Sequence, residues 1–142
     1  MTTTGNIPIG ADGGMLVEGV TGPIPVSQPG TDVDLIELGS NTGIVLTMPA
    51  VAGKTNYVTG FEITGGGATA ASLVLYNSLD GLLGGQIYYP IAVPAKPGAV
   101  FLSVQFARPI PASGVNVAIV LAVNAFGAGN DFSNAHLHGF YV

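Results

Sequence analysis

Cysteine and tryptophan are absent, basic side chains number only three, and no apolar run approaches the length of a bilayer span. Each absence removes a class of function. Without cysteine there is no disulfide framework, no thiolate nucleophile and no thiolate metal site. Three basic residues cannot track a phosphate backbone, so no nucleic-acid partner is expected. The longest apolar stretch, Val115 to Phe126, is interrupted by Asn116 and Asn124, so no membrane segment is expected. The opening Met1–Thr2–Thr3–Thr4–Gly5–Asn6 has neither a basic n-region nor an apolar h-region, which argues against a signal peptide. No Gly–x–Ser–x–Gly nucleophile motif occurs, and no nucleophile–base pair stands out. An enzyme is not expected; no catalytic residue and no cofactor is assigned.

What the chain does contain is glycine, proline and apolar side chains. Of 142 residues, 22 are glycine, 10 are proline and 48% are hydrophobic, whereas 8% are charged. Ordinary globular domains carry about 25% charged residues. A folded monomer of this mass exposes roughly 6,800 Å². Each charge therefore serves roughly 600 Å² of surface. Charge is what keeps small domains apart in solution, so a surface this neutral is expected to associate with copies of itself or with a partner.

Along the chain, residues 1–30 stand apart. Pro8, Pro23, Pro25 and Pro29 alternate with seven glycines, and short apolar groups lie between them: Ile7 and Ile9, then Met15, Leu16 and Val17, then Ile24 and Val26. A disordered tail is polar and charged; this one is apolar. It reads as an extended arm that docks on a neighbouring subunit.

Residues 31–142 read as a β body of about eight strands. They run over 33–38, 44–48, 54–64, 73–76, 86–93, 99–106, 115–123 and 134–142, separated by glycine, proline and asparagine turns. On the third, period two places Tyr57, Thr59, Phe61 and Ile63 on one face, with Val58, Gly60 and Glu62 opposite. Residues 77–81 read as a turn and 108–114 as a loop. Pro90 marks the fifth strand as an edge or a bulge. The sixth turns Val100, Leu102, Val104 and Phe106 inward. The seventh lines one face with Val115, Val117, Ile119, Leu121 and Val123. Residues 66–71 have room for one helical turn. No period of 3.6 and no fixed repeat is found, so the fold class is an antiparallel β-sandwich of jelly-roll or Greek-key type.

Several groups invite a chemical reading. His136 and His138 share one strand face, as a metal pair requires, but a site needs a third ligand, and Asp131 or Glu62 would serve only if the fold brought one close. No metal is assigned on this ground. Asp32, Asp34 and Glu37 are candidate calcium oxygens without an EF-hand pattern; a solvated strand start is the simpler account. Gly65–Gly66–Gly67 lacks the helix and lysine of a phosphate cradle and reads as a tight connection. Tyr57, Tyr76, Tyr88, Tyr89 and Tyr141 suit a sugar platform, yet tyrosine equally suits interfaces. Tyr88 and Tyr89 are therefore placed, with the arm's apolar residues, at a subunit or capsid interface.

Gly60–Phe61–Glu62–Ile63–Thr64–Gly65–Gly66–Gly67–Ala68–Thr69–Ala70–Ala71–Ser72, Gly81–Leu82–Leu83–Gly84–Gly85, Pro109–Ile110–Pro111–Ala112–Ser113, Gly127–Ala128–Gly129–Asn130 and His138–Gly139–Phe140–Tyr141 form a recurring kind of text. From about residue 57 onward the chain resembles small, uncharged, glycine-rich β proteins encoded among the structural genes of tailed bacteriophages and prophages. The resemblance implies a virion component, most simply a capsid decoration (cement) protein that bridges capsomers. It implies self-association, as a trimer, and contact with the major capsid protein. Alternatives are a head spike or fibre base, a neck or tail component, or a glycan-binding adhesion module.

Overall fold

The computed structural model describes residues 30–142. The arm, with Ile7, Ile9, Met15, Leu16, Val17, Ile24 and Val26, lies outside the described residues. Among the described residues there are ten strands and no helix: β1 (Thr31–Gly39), β2 (Ile44–Met48), β3 (Asn56–Gly66), β4 (Ser72–Val74), β5 (Ser78–Asp80), β6 (Ile87–Tyr88), β7 (Ile91–Val93), β8 (Ala99–Pro111), β9 (Ile119–Val123) and β10 (Ser133–Tyr141). One four-stranded sheet has the order β1-β10-β3-β8, a second has β2-β9-β5-β6, and β4 pairs with β7 alone. Every ladder is antiparallel.

The two larger sheets form the sandwich, and alternation explains why. In β2, Ile44, Leu46 and Met48 are buried while Val45 and Thr47 face out. In β9, Ile119, Leu121 and Val123 are buried. They meet Val58, Phe61 and Ile63 of β3 and Ala135 and Leu137 of β10 in one core cluster. A fully buried Leu, Ile or Phe contributes roughly 1.5–3 kcal/mol, so these few positions carry much of the fold's stability.

The third expected strand keeps its place but not its faces. Val58 and Gly60 of β3 oppose the consecutive residues Gly139 and His138 of β10, so Thr59 is an extra, bulged residue. One extra residue reverses the parity of what precedes it. Val58 therefore points inward with Phe61 and Ile63, and Tyr57 turns outward to stack on Phe140 at 5.0 Å. The Thr59 hydroxyl donates to the His138 carbonyl at 3.1 Å.

Other boundaries moved for identifiable reasons. The expected turn at 77–81 contains β5, because Ser78 and Leu79 pair with Ala122 and Leu121 of β9. The expected fifth strand breaks at Pro90 into β6 and β7, which join different sheets. The expected loop at Arg108 is the continuation of β8, which lies at a sheet edge where Pro109 and Pro111 are tolerated. The expected seventh strand starts later, at Ile119, because Asn116 adopts a left-handed φ of 65°. Val117 still packs on the core, whereas Val115 is exposed. Residues 66–71 form no helical turn; Ala68 bridges to Ala95 instead.

Candidate functional site

The outward face of the β1-β10-β3-β8 sheet is organised in rows across its strands. Register places Asp34 opposite His138, His138 opposite Gly60, and Gly60 opposite Gln105. The next row runs Ile36, His136, Glu62, Ser103, and the next Leu38, Asn134, Thr64, Phe101. The period of two on β10 puts both imidazoles on this face, their ring centroids 4.6 Å apart.

Two carboxylates flank the pair. Asp34 Oδ1 lies 2.7 Å from His136 Nε2 and 3.3 Å from His138 Nδ1. On the other side, Glu62 Oε2 lies 2.9 Å from His138 Nε2, and Glu62 Oε1 lies 3.5 Å from His136 Nδ1. The Gln105 amide donates to Glu62 Oε2 at 2.8 Å, fixing that carboxylate from β8. Gly60 permits this: a Cβ there would stand 2.7 Å from Gln105 Oε1. The Asp34 side chain is 68% exposed and that of Glu62 26%, so the cluster is open on the β1 side and half-covered on the β3 side.

Of the ligands weighed from sequence, Glu62 does reach the histidines. Asp131 pairs with Lys96 at 2.6 Å instead. Asp34 is the residue that sequence reasoning placed in a different group; the register of β1 on β10 brings it to the imidazoles. Asp32 shares its outward parity, while Glu37 has the opposite parity, so the three acids do not converge as a calcium cage. Gly65 and Gly66 end β3, and Gly67 packs against the Pro94 and Gly98 carbonyls, with no helix after it among the described residues to form a phosphate cradle.

The tyrosines do not gather into one platform. Tyr57 stacks on Phe140, and Tyr89 meets the buried Phe61 edge-on at 4.8 Å. Burial pushes the Tyr89 phenol above its ordinary pKa. Tyr76 and Tyr88 present exposed rings. Near the chain end, Tyr57, Phe140, Arg108, Pro109 and Val142 line an open apolar depression of about 410 Å³. The chain enters the sheet beside it: Gly30, at φ 92°, packs so closely on the Tyr141 carbonyl that no other residue fits.

Exposed apolar side chains sit at the β1 end of the second row (Ile36) and at both ends of the third (Leu38 and Phe101). Ile36 is 62% exposed, Leu38 73% and Phe101 78%. Comparison of the sequence with protein-family models and with curated proteins gives no match.

Proposed function

We propose that the protein is a self-associating structural component of a phage particle, most simply a decoration protein that bridges capsomers on the head. The observation that supports this most is the edge strand β1. It is the outermost strand of its sheet, it follows directly on the arm, and it carries Ile36 and Leu38 outward on a body with very little charge. Monomers blunt such edges with charge or proline, and β1 does carry Asp32, Asp34 and Glu37, yet Ile36 and Leu38 leave the later part of its outward face apolar. Here apolar side chains sit beside a row of backbone groups with no strand beyond them among the described residues, as strand addition by another chain requires.

The strand order adds support by analogy. With β4 and β7 set aside, the orders 1-10-3-8 and 2-9-5-6 follow the pattern of a two-sheet jelly roll, which serves in viral capsid and lectin domains. The lectin precedent and the exposed Tyr76 and Tyr88 favour glycan binding as a second reading.

Sedimentation of the full chain tests the first step. Self-association that I36K/L38K abolishes, with the fold intact, supports the reading; a wild-type monomer at every concentration overturns it. Removal of residues 2–29 weakens capsid attachment if the arm docks as proposed. Image reconstruction of particles containing this chain then separates the capsid exterior from a neck, tail or fibre base. Glycan-array binding through Tyr76 and Tyr88 would favour the second reading.

A further inference from the structure

We propose that Asp34, His136 and His138 form a binding site for a divalent first-row transition ion, with Zn²⁺ as the reference occupant and Glu62 as the carboxylate that orients both imidazoles. The four contacts between the two rings and the two carboxylates lie at 2.7, 3.3, 3.5 and 2.9 Å. Two neutral imidazoles supply two N–H groups in all. In the neutral form that a metal ion binds, two of the four contacts face a nitrogen lone pair toward a carboxylate oxygen, and a cation there takes the place of the missing protons.

The geometry says which two. The two ring nitrogens facing Asp34 converge on a single oxygen, Oδ1. The two facing Glu62 are matched one to each of its oxygens, His138 Nε2 within hydrogen-bond distance at 2.9 Å and His136 Nδ1 farther off at 3.5 Å. Metal-bound histidines characteristically donate their second N–H to a carboxylate, which fixes the tautomer and the ring orientation. Glu62, held in turn by Gln105, occupies that position. The open nitrogens, His136 Nε2 and His138 Nδ1, are then left for an ion together with Asp34.

Distances agree with this assignment. The three ligand atoms all lie within 4.8 Å of one another. Bonds of about 2.0–2.2 Å in a tetrahedral site put ligand atoms roughly 3.3–3.5 Å apart. The His138–Asp34 separation of 3.3 Å already fits. The His136–Asp34 separation of 2.7 Å must open by roughly 0.6 Å to reach that range. Asp34 has the freedom to do so, being mostly exposed on an edge strand. Its open side leaves a fourth position for water or for an oxygen of another molecule.

The donor set selects the ion. Two imidazoles with carboxylate oxygen suit Zn²⁺, Ni²⁺, Co²⁺ and Cu²⁺, whereas Ca²⁺ and Mg²⁺ require oxygen shells. The carboxylates of Asp34 and Glu62 together balance a doubly charged ion. The ion would tie β1 to β10 across residues 102 positions apart in sequence.

The test is unusually clean because the chain holds two histidines and no cysteine. Any imidazole-ligated signal from untagged protein therefore comes from this pair. The full chain, stripped with chelator, is titrated with ZnCl₂ by calorimetry and with CoCl₂ by visible absorption. The proposal expects saturable binding of one ion per chain and a cobalt spectrum of four-coordinate N/O type. H136Q/H138Q should weaken binding at least a hundredfold. D34N should weaken it at least tenfold, and serves as the reading if the double variant does not fold. E62Q should keep the stoichiometry and weaken binding about 10–100-fold, the usual effect of losing such an orienting group. D131N, at the Lys96 pair, should bind as wild type. Absence of saturable binding, or binding that survives both H136Q/H138Q and D34N, overturns the proposal.

Discussion

Replacing Asn130 by aspartate changes one NH₂ to an oxygen and should cost more stability than deleting the side chain's polar atoms altogether. Asn130 is buried, and its Nδ2 donates to the Gly66 and Phe132 carbonyls, both at 2.9 Å. Its Oδ1 accepts from the Asn41 backbone N–H at 3.1 Å. One amide thus joins the end of β3, the start of β10 and the β1–β2 turn. In N130A three hydrogen bonds are lost, although the Phe132 carbonyl keeps the Gly66 N–H; at about 1 kcal/mol per net hydrogen bond, the loss is about 3 kcal/mol. In N130D the contact to Asn41 survives, but the new oxygen faces two carbonyl oxygens. The ionised form is repelled by both, and the protonated form can donate to only one. The introduced carboxyl's pKa is therefore raised in the folded state. The sign follows: the variant's stability is greatest below the unfolded-state value of about 3.9 and is lost as pH rises through the folded-state value. At neutral pH N130D should lose at least the ~3 kcal/mol of N130A, a fall in Tm of roughly 10 °C for a chain of this size. Relative to wild type it should recover part of that loss near pH 4. Urea unfolding followed by far-UV circular dichroism measures both. A neutral-pH loss below about 0.5 kcal/mol, or the same loss at both pH values, would refute the reasoning.

Two further outcomes follow from packing. A Cβ on Gly139 would lie 2.0 Å from the Tyr57 carbonyl and 2.6 Å from Met48 Cε, so G139A should destabilise by about 3 kcal/mol or more by overpacking at the bulge; a denaturation midpoint equal to wild type would contradict the close approach. Burial raises the Tyr89 phenol above its ordinary value near 10, so the stability it contributes is fully present below that pH and is lost as pH rises through the folded-state value. Ultraviolet titration should show one tyrosine ionising late, and the alkaline fall in Tm should be smaller in Y89F; identical profiles for the two proteins would contradict it.

Much of the sandwich is legible in the sequence because it obeys period two. Ile44–Met48 has the expected bounds, and the inward sets Ile119, Leu121, Val123 and Val100, Leu102, Val104, Phe106 follow from alternation alone. What alternation misses is local reversal and long-range support. Thr59 carries no mark of a bulge, yet it turns Tyr57 outward. Asn77 looks like a turn residue, but its amide is buried, donating to Val74 and Tyr89 carbonyls and accepting from the Asn124 N–H. That anchoring lets β5 begin immediately after it. The histidine pair was visible as His–x–His, and Glu62 was visible as a conditional partner. Asp34 was not, because only the pairing of β1 with β10 makes the first acidic strand and the last strand neighbours.

The distribution of polar groups separates two uses of one sheet face. This chain has few ionisable side chains, yet Asp34, Glu62, His136 and His138 are gathered on adjacent rows, while Leu38 and Phe101 flank the next. Burying the charged rows in a subunit contact would require every charge to be paired, and the desolvation cost of such pairs readily exceeds their attraction. Burying the apolar row carries no such cost. An association surface built on β1 is therefore favoured around Leu38, with Ile36, which shares the row of His136 and Glu62, at its boundary and the histidine cluster left at its solvent rim. An ion there would hold the edge strand in register without itself being the contact. Self-association should then be sensitive to I36K/L38K and persist, weakened at most, when the ion is chelated; complete dissociation on chelation would instead place the ion within the contact.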